Sequence, residues 1–188
     1  MIVELRPWTT EDASALCNAN EGDQDLQAQF GGVDLGSLGS SQEYINEYLM
    51  MSETRWNWAI CVDNVAVGNV GLSGVERRHG TAWASYWLAS SYRGYGLAVR
   101  ALATVASVAF QEGLFRIELG HRINNPASCK VAARAGFVPE GIERQKLRYG
   151  HQRFDVETHA RLLTDPAPDV SALPMKPTKF LPSSSNRP

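Results

Sequence analysis

An excess of charge of one sign is what the sequence most plainly lacks. Its 18 basic and 20 acidic residues leave a formal net charge of -2 over 188 residues. A field so nearly balanced gives no broad attraction to nucleic acid or anionic lipid, and neither is expected as a partner. Also absent is any unbroken apolar run of about 18 residues, the length a bilayer-spanning helix needs. The opening Met1-Ile2-Val3-Glu4-Leu5-Arg6 carries charge where a leader would need its apolar centre. A cytoplasmic protein without a membrane segment is the expectation. Cysteine is scarce. Cys17, Cys61 and Cys129 are odd in number, widely spaced and in no metal-ligand pattern, so they read as reduced, mostly buried small hydrophobes. Neither a disulfide nor a metal is expected. What is present, 44% apolar residues with 16 glycines, suits one globular domain.

After a strand over Ile2 to Arg6, Thr9-Thr10-Glu11-Asp12 is a helix start, with hydroxyls to cap free amides and acids in the positive first turn. That helix is expected to reach about Asn20. Residues 21 to 40 hold five glycines among polar residues and read as a mobile loop. Ser40 with Glu43 predicts a capping box for a second helix to about Ser52. Trp56 to Val62 and Val65 to Leu72 flank Asp63-Asn64, two turn formers that tolerate positive φ, and predict a hairpin. Thr81 to Leu88 is a third strand of the same meander. Leu97 to Gln111 is apolar except at Arg100, Thr104, Ser107 and Gln111, whose spacing forms one narrow polar stripe on a buried helix. A strand over Phe115 to Ile123 follows. Then comes a helix with Asn125 as cap, Pro126 at its first position and Gly136 beyond its end. Strands at Glu140 to Tyr149 and Phe154 to Leu163 meet near Gly150. Six of the nine prolines lie in residues 166 to 188, together with Ser183-Ser184-Ser185. This tail has too little apolar content for a core of its own, and is either loose or laid on a folded surface. The expected division is a domain over 1–165 and a tail over 166–188.

The turn Arg93-Gly94-Tyr95-Gly96-Leu97-Ala98 leads from a strand into a helix. It presents unpaired backbone N–H groups to an anion, and its glycines let a phosphate approach closely. A dinucleotide fingerprint would need glycine three positions after Gly96, where Val99 stands, so a Rossmann reading fails. On the strand over 115–123, Glu118 and His121 are three residues apart and point to opposite faces. His121 shares parity with Ile117 and Leu119 and reads as a core histidine, while Glu118 is either a base or a surface charge. His79, His151 and His159 have no carboxylate at metal spacing, so no metal site is expected. Trp56, Trp58, Trp83 and Trp87 read as core packing rather than an acceptor pocket. Arg144, Lys146, Arg148 and Arg153 make a basic hairpin, read first as a solvated face and second as one that steers the anionic cofactor or an acidic partner.

The order of these elements resembles the GNAT family of N-acetyltransferases. Several stretches look more narrowly like its RimJ/RimL-like ribosomal-protein branch. They are Leu5-Arg6-Pro7, Gly68-Asn69-Val70-Gly71-Leu72, Tyr86-Trp87-Leu88, Arg93 to Ala98, Asn125 to Ser128 with Gly136-Phe137, and Glu140-Gly141 with Arg144. The resemblance covers roughly residues 2 to 165. It implies an α/β fold, a mixed and mostly antiparallel sheet of six or seven strands with helices on both faces. It also implies acetyl-CoA as co-substrate, in a wedge between the strand ending at Ala89 and the strand beginning near Phe115.

By that resemblance Arg93, Gly94, Tyr95, Gly96, Leu97 and Ala98 form the pyrophosphate loop, and Trp87, Leu88 and Ala89 lend backbone groups to the pantetheine arm. Asn125 and Ser128 sit beside the thioester, where Asn125 also reads as a plain helix cap. Many relatives carry a proton-donating tyrosine where Ala132 stands here, and Ser128 lies one turn earlier on the same face. A glutamate often found before the cofactor loop is missing from Trp83-Ala84-Ser85-Tyr86. The catalytic candidates are therefore Ser128, Asn125 and Glu118.

Cys129 has no evident histidine partner in the sequence, so the expected chemistry is direct attack by a primary amine. A peptide or protein N-terminus is favoured, because an α-amine of pKa about 8 is partly neutral at pH 7 and a lysine of about 10.4 is not. The alternatives are a small amine such as an aminoglycoside or polyamine, and a CoA-binding module without catalysis. The acceptor wall is expected from residues 21 to 55, where the glycine-rich loop closes over the acceptor, and the tail either covers that loop or packs on a second subunit as a homodimer.

Overall fold

The computed structural model describes residues 1–178, so the serine run at 183–185 lies outside the described residues. Seven strands form one sheet: β1 (Val3–Arg6), β2 (Trp56–Val62), β3 (Val65–Glu76), β4 (Thr81–Leu88), β5 (Arg116–Arg122), β6 (Val138–Tyr149) and β7 (Gln152–Leu162). Their spatial order is β1-β2-β3-β4-β5-β7-β6. Every neighbouring pair is antiparallel except β4 and β5. The β2–β3 hairpin turns at Asp63 (φ 48) and Asn64 (φ 70), the left-handed pair that matches strand twist in a two-residue turn.

Helices cover both faces. On one face α1 (Ala13–Asn20), α2 (Gln24–Gln29) and α3 (Leu38–Tyr44) bury Leu16, Leu26 and Phe30 against Trp8 and Trp87. On the other, α4 (Leu97–Gln111) and α5 (Pro126–Arg134) bury Leu102, Val105 and Ala132 against Trp58, Ile117 and Leu119. Because β4 and β5 are parallel, the chain needs a crossover between them, and α4 supplies it.

Residues 21–40 are not one loop. Asp23 accepts from the Leu26 amide at 3.0 Å and caps α2, a start signal hidden among the glycines. The next helix begins at Leu38, where Ser37 and Ser40 cap reciprocally in place of the expected Ser40 and Glu43 pair. It widens into a π turn over Ile45–Leu49 and ends there, short of Ser52. β3 runs on to Glu76.

The polar stripe of α4 is where the tail docks. Leu173 is buried, its amide donates to Thr104 Oγ1 at 2.9 Å, and Arg100 Nε donates to the Ser171 carbonyl at 3.2 Å. Further on, Leu5 N–H donates to Pro174 and Lys176 N–H to Leu5. The tail thus pairs with the outer edge of β1, an edge that would otherwise expose unpaired backbone groups.

Candidate active site

β4 and β5 pair only at their beginnings: Thr81 with Arg116, Ala82 with Ile117, Trp83 with Glu118. Past that point β4 pairs only with β3 and β5 only with β7. The sheet therefore splits between two strands that no longer bond to each other; on the β4 side the Tyr86 carbonyl accepts from Gln29 Nε2 at 3.1 Å and the Leu88 carbonyl from Arg93 Nε, and the space between the strands is a slot suited to a linear ligand. Trp83 sits at the fork. A Cβ on Gly120 would lie 3.1 Å from its Cζ2 and 2.7 Å from Val156 Cγ1, so the strand passes there only as glycine.

At the mouth of the split lies the turn over residues 93–98 that leads into α4. Gly94 (φ 86) and Gly96 (φ 75) are left-handed, and a Cβ on either would meet no other group of the chain. Gly96 caps the 15-residue α4 without a side-chain bond, so the first amides of that helix face outward at its positive end. Arg93 does not reach into this cradle. Its Nε donates to the Leu88 carbonyl at 3.0 Å and its guanidinium pairs with Asp23, which braces the loop against the cap of α2. Tyr95 is exposed. Trp87 is turned away as well, with its ring 5.9 Å from Trp8 and 5.5 Å from Phe30 and its backbone paired with Asn69 of β3.

Asn125 and Ser128 come together at the start of α5. Asn125 Oδ1 accepts from the Ser128 amide at 3.1 Å, the cap its position predicts. The Ser128 hydroxyl makes no hydrogen bond among the described residues, and its carbonyl accepts from Tyr86 Oη at 3.2 Å. Burial pushes the Tyr86 phenol up to about 12, so it is a neutral donor. Sequence reasoning passed over Tyr86, because nothing near it in the chain shows that β4 faces α5. Glu118 is not brought to this group. It lies on the opposite sheet face from α5 and takes a 2.7 Å bond from Arg116 Nε.

Two expectations about the histidines are corrected. His159 does have a carboxylate partner: Glu157, two residues away and so on the same strand face, lies 3.0 Å from its Nε2. Cys129 does have histidine neighbours, for its Sγ and the ligand atoms of His121, His159 and Glu157 all lie within 4.8 Å of one another. Register explains both, since β5 and β7 set Leu119 opposite His159 and His121 opposite Glu157. Burial first, and then the Glu157 carboxylate, push the Cys129 thiol up, so it is held as a neutral thiol rather than an activated nucleophile. Of the three cysteines only Cys61 is fully buried, and burial raises its thiol to about 11.

No helix among the described residues is long and apolar enough to cross a membrane.

Comparison with known proteins agrees with this geometry. Residues 3–138 match the model described as acetyltransferase (GNAT) domain. The chain is 33% identical over 98 residues to ribosomal-protein-serine acetyltransferase of Escherichia coli, a match spanning 52% of this chain and 55% of that protein. Among solved structures it is similar to Mycobacterium smegmatis RimJ in complex with a CoA disulfide. That match has a TM-score of 0.74 at 27% identity over 88% of this chain and 85% of that one. The fold also matches RimL, a ribosomal α-N-protein acetyltransferase in complex with coenzyme A, with a TM-score of 0.77 at 21% identity, covering 86% and 94% of the two chains. Acetyl-CoA is the co-substrate such enzymes use, and their transfer calls for no metal. The split sheet, the glycine cradle at the head of α4 and the family match over most of the chain agree, and the chain belongs to the GNAT family of N-acetyltransferases.

Proposed function

We propose that the protein moves the acetyl group of acetyl-CoA to the α-amine of a peptide or protein N-terminus by direct attack. The observation that carries the chemistry is the parting of β4 and β5 beyond Trp83 and Glu118, with Ser128 at the head of the helix beside it. The pyrophosphate lies on the amides at Gly94 to Ala98, and the pantetheine arm runs along the β4 edge that parts from β5 near Leu88. This sets the thioester toward Asn125 and Ser128. A neutral amine attacks the carbonyl carbon, the new N–C bond leaves a proton on nitrogen that passes to solvent, and the tetrahedral intermediate breaks its C–S bond to expel the thiolate of coenzyme A. A thiol of pKa about 8.5 is a fair leaving group, so the Ser128 hydroxyl has only to donate a hydrogen bond or pass a proton to the sulfur.

Glu118 is held by Arg116, and it is not assigned as the base. The choice of acceptor follows from that. An amine partly neutral near pH 7 needs less help than a lysine side chain, and the name of the E. coli protein points to a protein acceptor and that of RimL to a protein α-amine.

The test is to incubate the protein with labelled acetyl-CoA, a peptide library and a panel of aminoglycosides and polyamines, and to locate the label by mass spectrometry. Label on peptide N-termini is the expected result. Label confined to lysine side chains or small amines would overturn the acceptor. Tight acetyl-CoA binding without thiol release for any amine would favour a non-catalytic module.

A further inference from the structure

Beneath α5, beside the proposed thioester position, three ligand atoms converge on one point. His121 Nε2 and His159 Nε2 are 3.1 Å apart, His159 Nε2 and Glu157 Oε2 3.0 Å, and His121 Nε2 and Glu157 Oε2 3.3 Å. Bonds of about 2.05 Å from nitrogen or oxygen to a tetrahedral zinc ion give edges of about 3.3 Å. The triangle is thus close to one face of such a tetrahedron, and Cys129 Sγ, within 4.8 Å of the other three, is the donor at hand for the fourth corner.

Proton counting sharpens the point. His121 Nδ1 lies 3.1 Å from the Arg122 carbonyl, an acceptor only, so Nδ1 carries the proton and the Nε2 lone pair faces inward. Glu157 contributes a second acceptor. With neutral rings, the single proton on His159 Nε2 is shared between two acceptors that stand 3.3 Å apart with nothing positive between them. His159 Nδ1 is buried with no hydrogen-bond partner among the described residues, so the proton that frees Nε2 for an ion moves to Nδ1 at the cost of one unsatisfied buried donor, which the metal bond has to outweigh. The Arg122 carbonyl is the kind of outer partner that orients a ligating histidine.

From this geometry we infer that His121, Cys129, Glu157 and His159 form a site for one divalent zinc-class ion. Two neutral imidazoles, one carboxylate and one thiolate leave a dication electrically neutral, which suits the burial of both histidines. A monovalent soft ion would leave the site negative, and hard ions such as magnesium prefer all-oxygen ligands. On binding, the ion displaces the Cys129 thiol proton to solvent, and the proton on His159 moves from Nε2 to Nδ1. The ion has no part in acetyl transfer. It ties β5 and β7 to the helix that carries Ser128, and it takes Cys129 out of thiol chemistry.

Chelator-stripped protein titrated with zinc chloride against a chromophoric chelator is expected to take up one ion per chain, with a melting temperature that rises with zinc concentration. Cobalt(II) loading is expected to show the intense visible bands of a tetrahedral site and a thiolate charge-transfer band. Cys129→Ser should abolish the charge-transfer band. Cys129→Ser and Glu157→Gln, both at half-exposed positions, should each weaken zinc binding about 100-fold, while Cys17→Ser and His79→Ala leave it unchanged. Any one of three results would overturn the site: no zinc retained, a six-coordinate cobalt spectrum without the thiolate band, or an affinity unaltered in both Cys129→Ser and Glu157→Gln. None of these readouts depends on the acceptor or on acetyl transfer.

Discussion

The Tyr86 hydroxyl donates to the Ser128 carbonyl at 3.2 Å, which links β4 to the head of α5 beside the slot where β4 and β5 part. With burial holding the phenol near 12, this bond persists through the pH range in which an α-amine reacts. Tyr86→Phe removes one neutral hydrogen bond, about 1 kcal/mol. Turnover is expected to fall about fivefold, with the KM for acetyl-CoA unchanged, as measured by thiol release under saturating acceptor.

Ser128→Ala removes the hydroxyl while leaving the backbone bonds to Asn125 and Tyr86 in place. If Ser128 assists the departing thiolate, kcat falls about 100-fold and the dissociation constant for acetyl-CoA stays the same by calorimetry. An unaltered rate would remove Ser128 from the mechanism.

Gly94, Gly96 and Gly113 all have positive φ, and a Cβ on any of them meets nothing within 4 Å. Alanine at each carries the same kind of backbone cost, about 1 kcal/mol. Only the first two lie in the proposed pyrophosphate cradle. Gly94→Ala and Gly96→Ala should therefore weaken acetyl-CoA binding beyond any loss in stability, and Gly113→Ala should lower the melting temperature alone.

Arg6 and Asp12 pair at 2.7 Å at the entrance to α1. Burial pushes the Asp12 carboxyl up, but the bonds from Arg6 and Thr9 outweigh it, and its pKa ends below the ordinary value. A depressed folded pKa means stabilisation that is fully present above the unfolded pKa, about 3.9, and lost as pH falls through the folded one. Asp12→Asn is expected to cost about 2 kcal/mol at pH 7 in urea unfolding. The gap from the parent protein should narrow steadily as pH drops below about 4.

Leu173 belongs to the core although it lies in the proline-rich tail, at 3% exposure against α4. Leu173→Ala should destabilise the protein by about 3 kcal/mol. Truncation after Asp165 should cost at least as much, because it also strips the outer edge of β1. Equal denaturant midpoints for the parent and the truncated chain would show that the tail contributes nothing.

The features legible in the sequence are those whose cause lies within a few residues. Asn125 before Pro126, with Gly136 beyond, marks α5, because capping is a contact across one helical turn. Asp63-Asn64 marks the β2–β3 hairpin, and the apolar run marks α4 from Leu97 to Gln111, because φ preferences and helical period are local properties. The glycine cradle at Gly94 and Gly96 was legible for the same reason. What tertiary structure decided was everything that depends on strand register or on packing between segments far apart in the chain. The point at which β4 leaves β5, the turning of Arg93 to Asp23, the reach of Tyr86 to Ser128 and the seating of Leu173 on Thr104 leave no mark on neighbouring residues. His121 and His159 are 38 positions apart and meet at 3.1 Å because β7 runs antiparallel to β5 in one particular register. Side chains two apart on a strand share a face and strand partners share a row, so the β5–β7 pairing brought His121, Glu157 and His159 together.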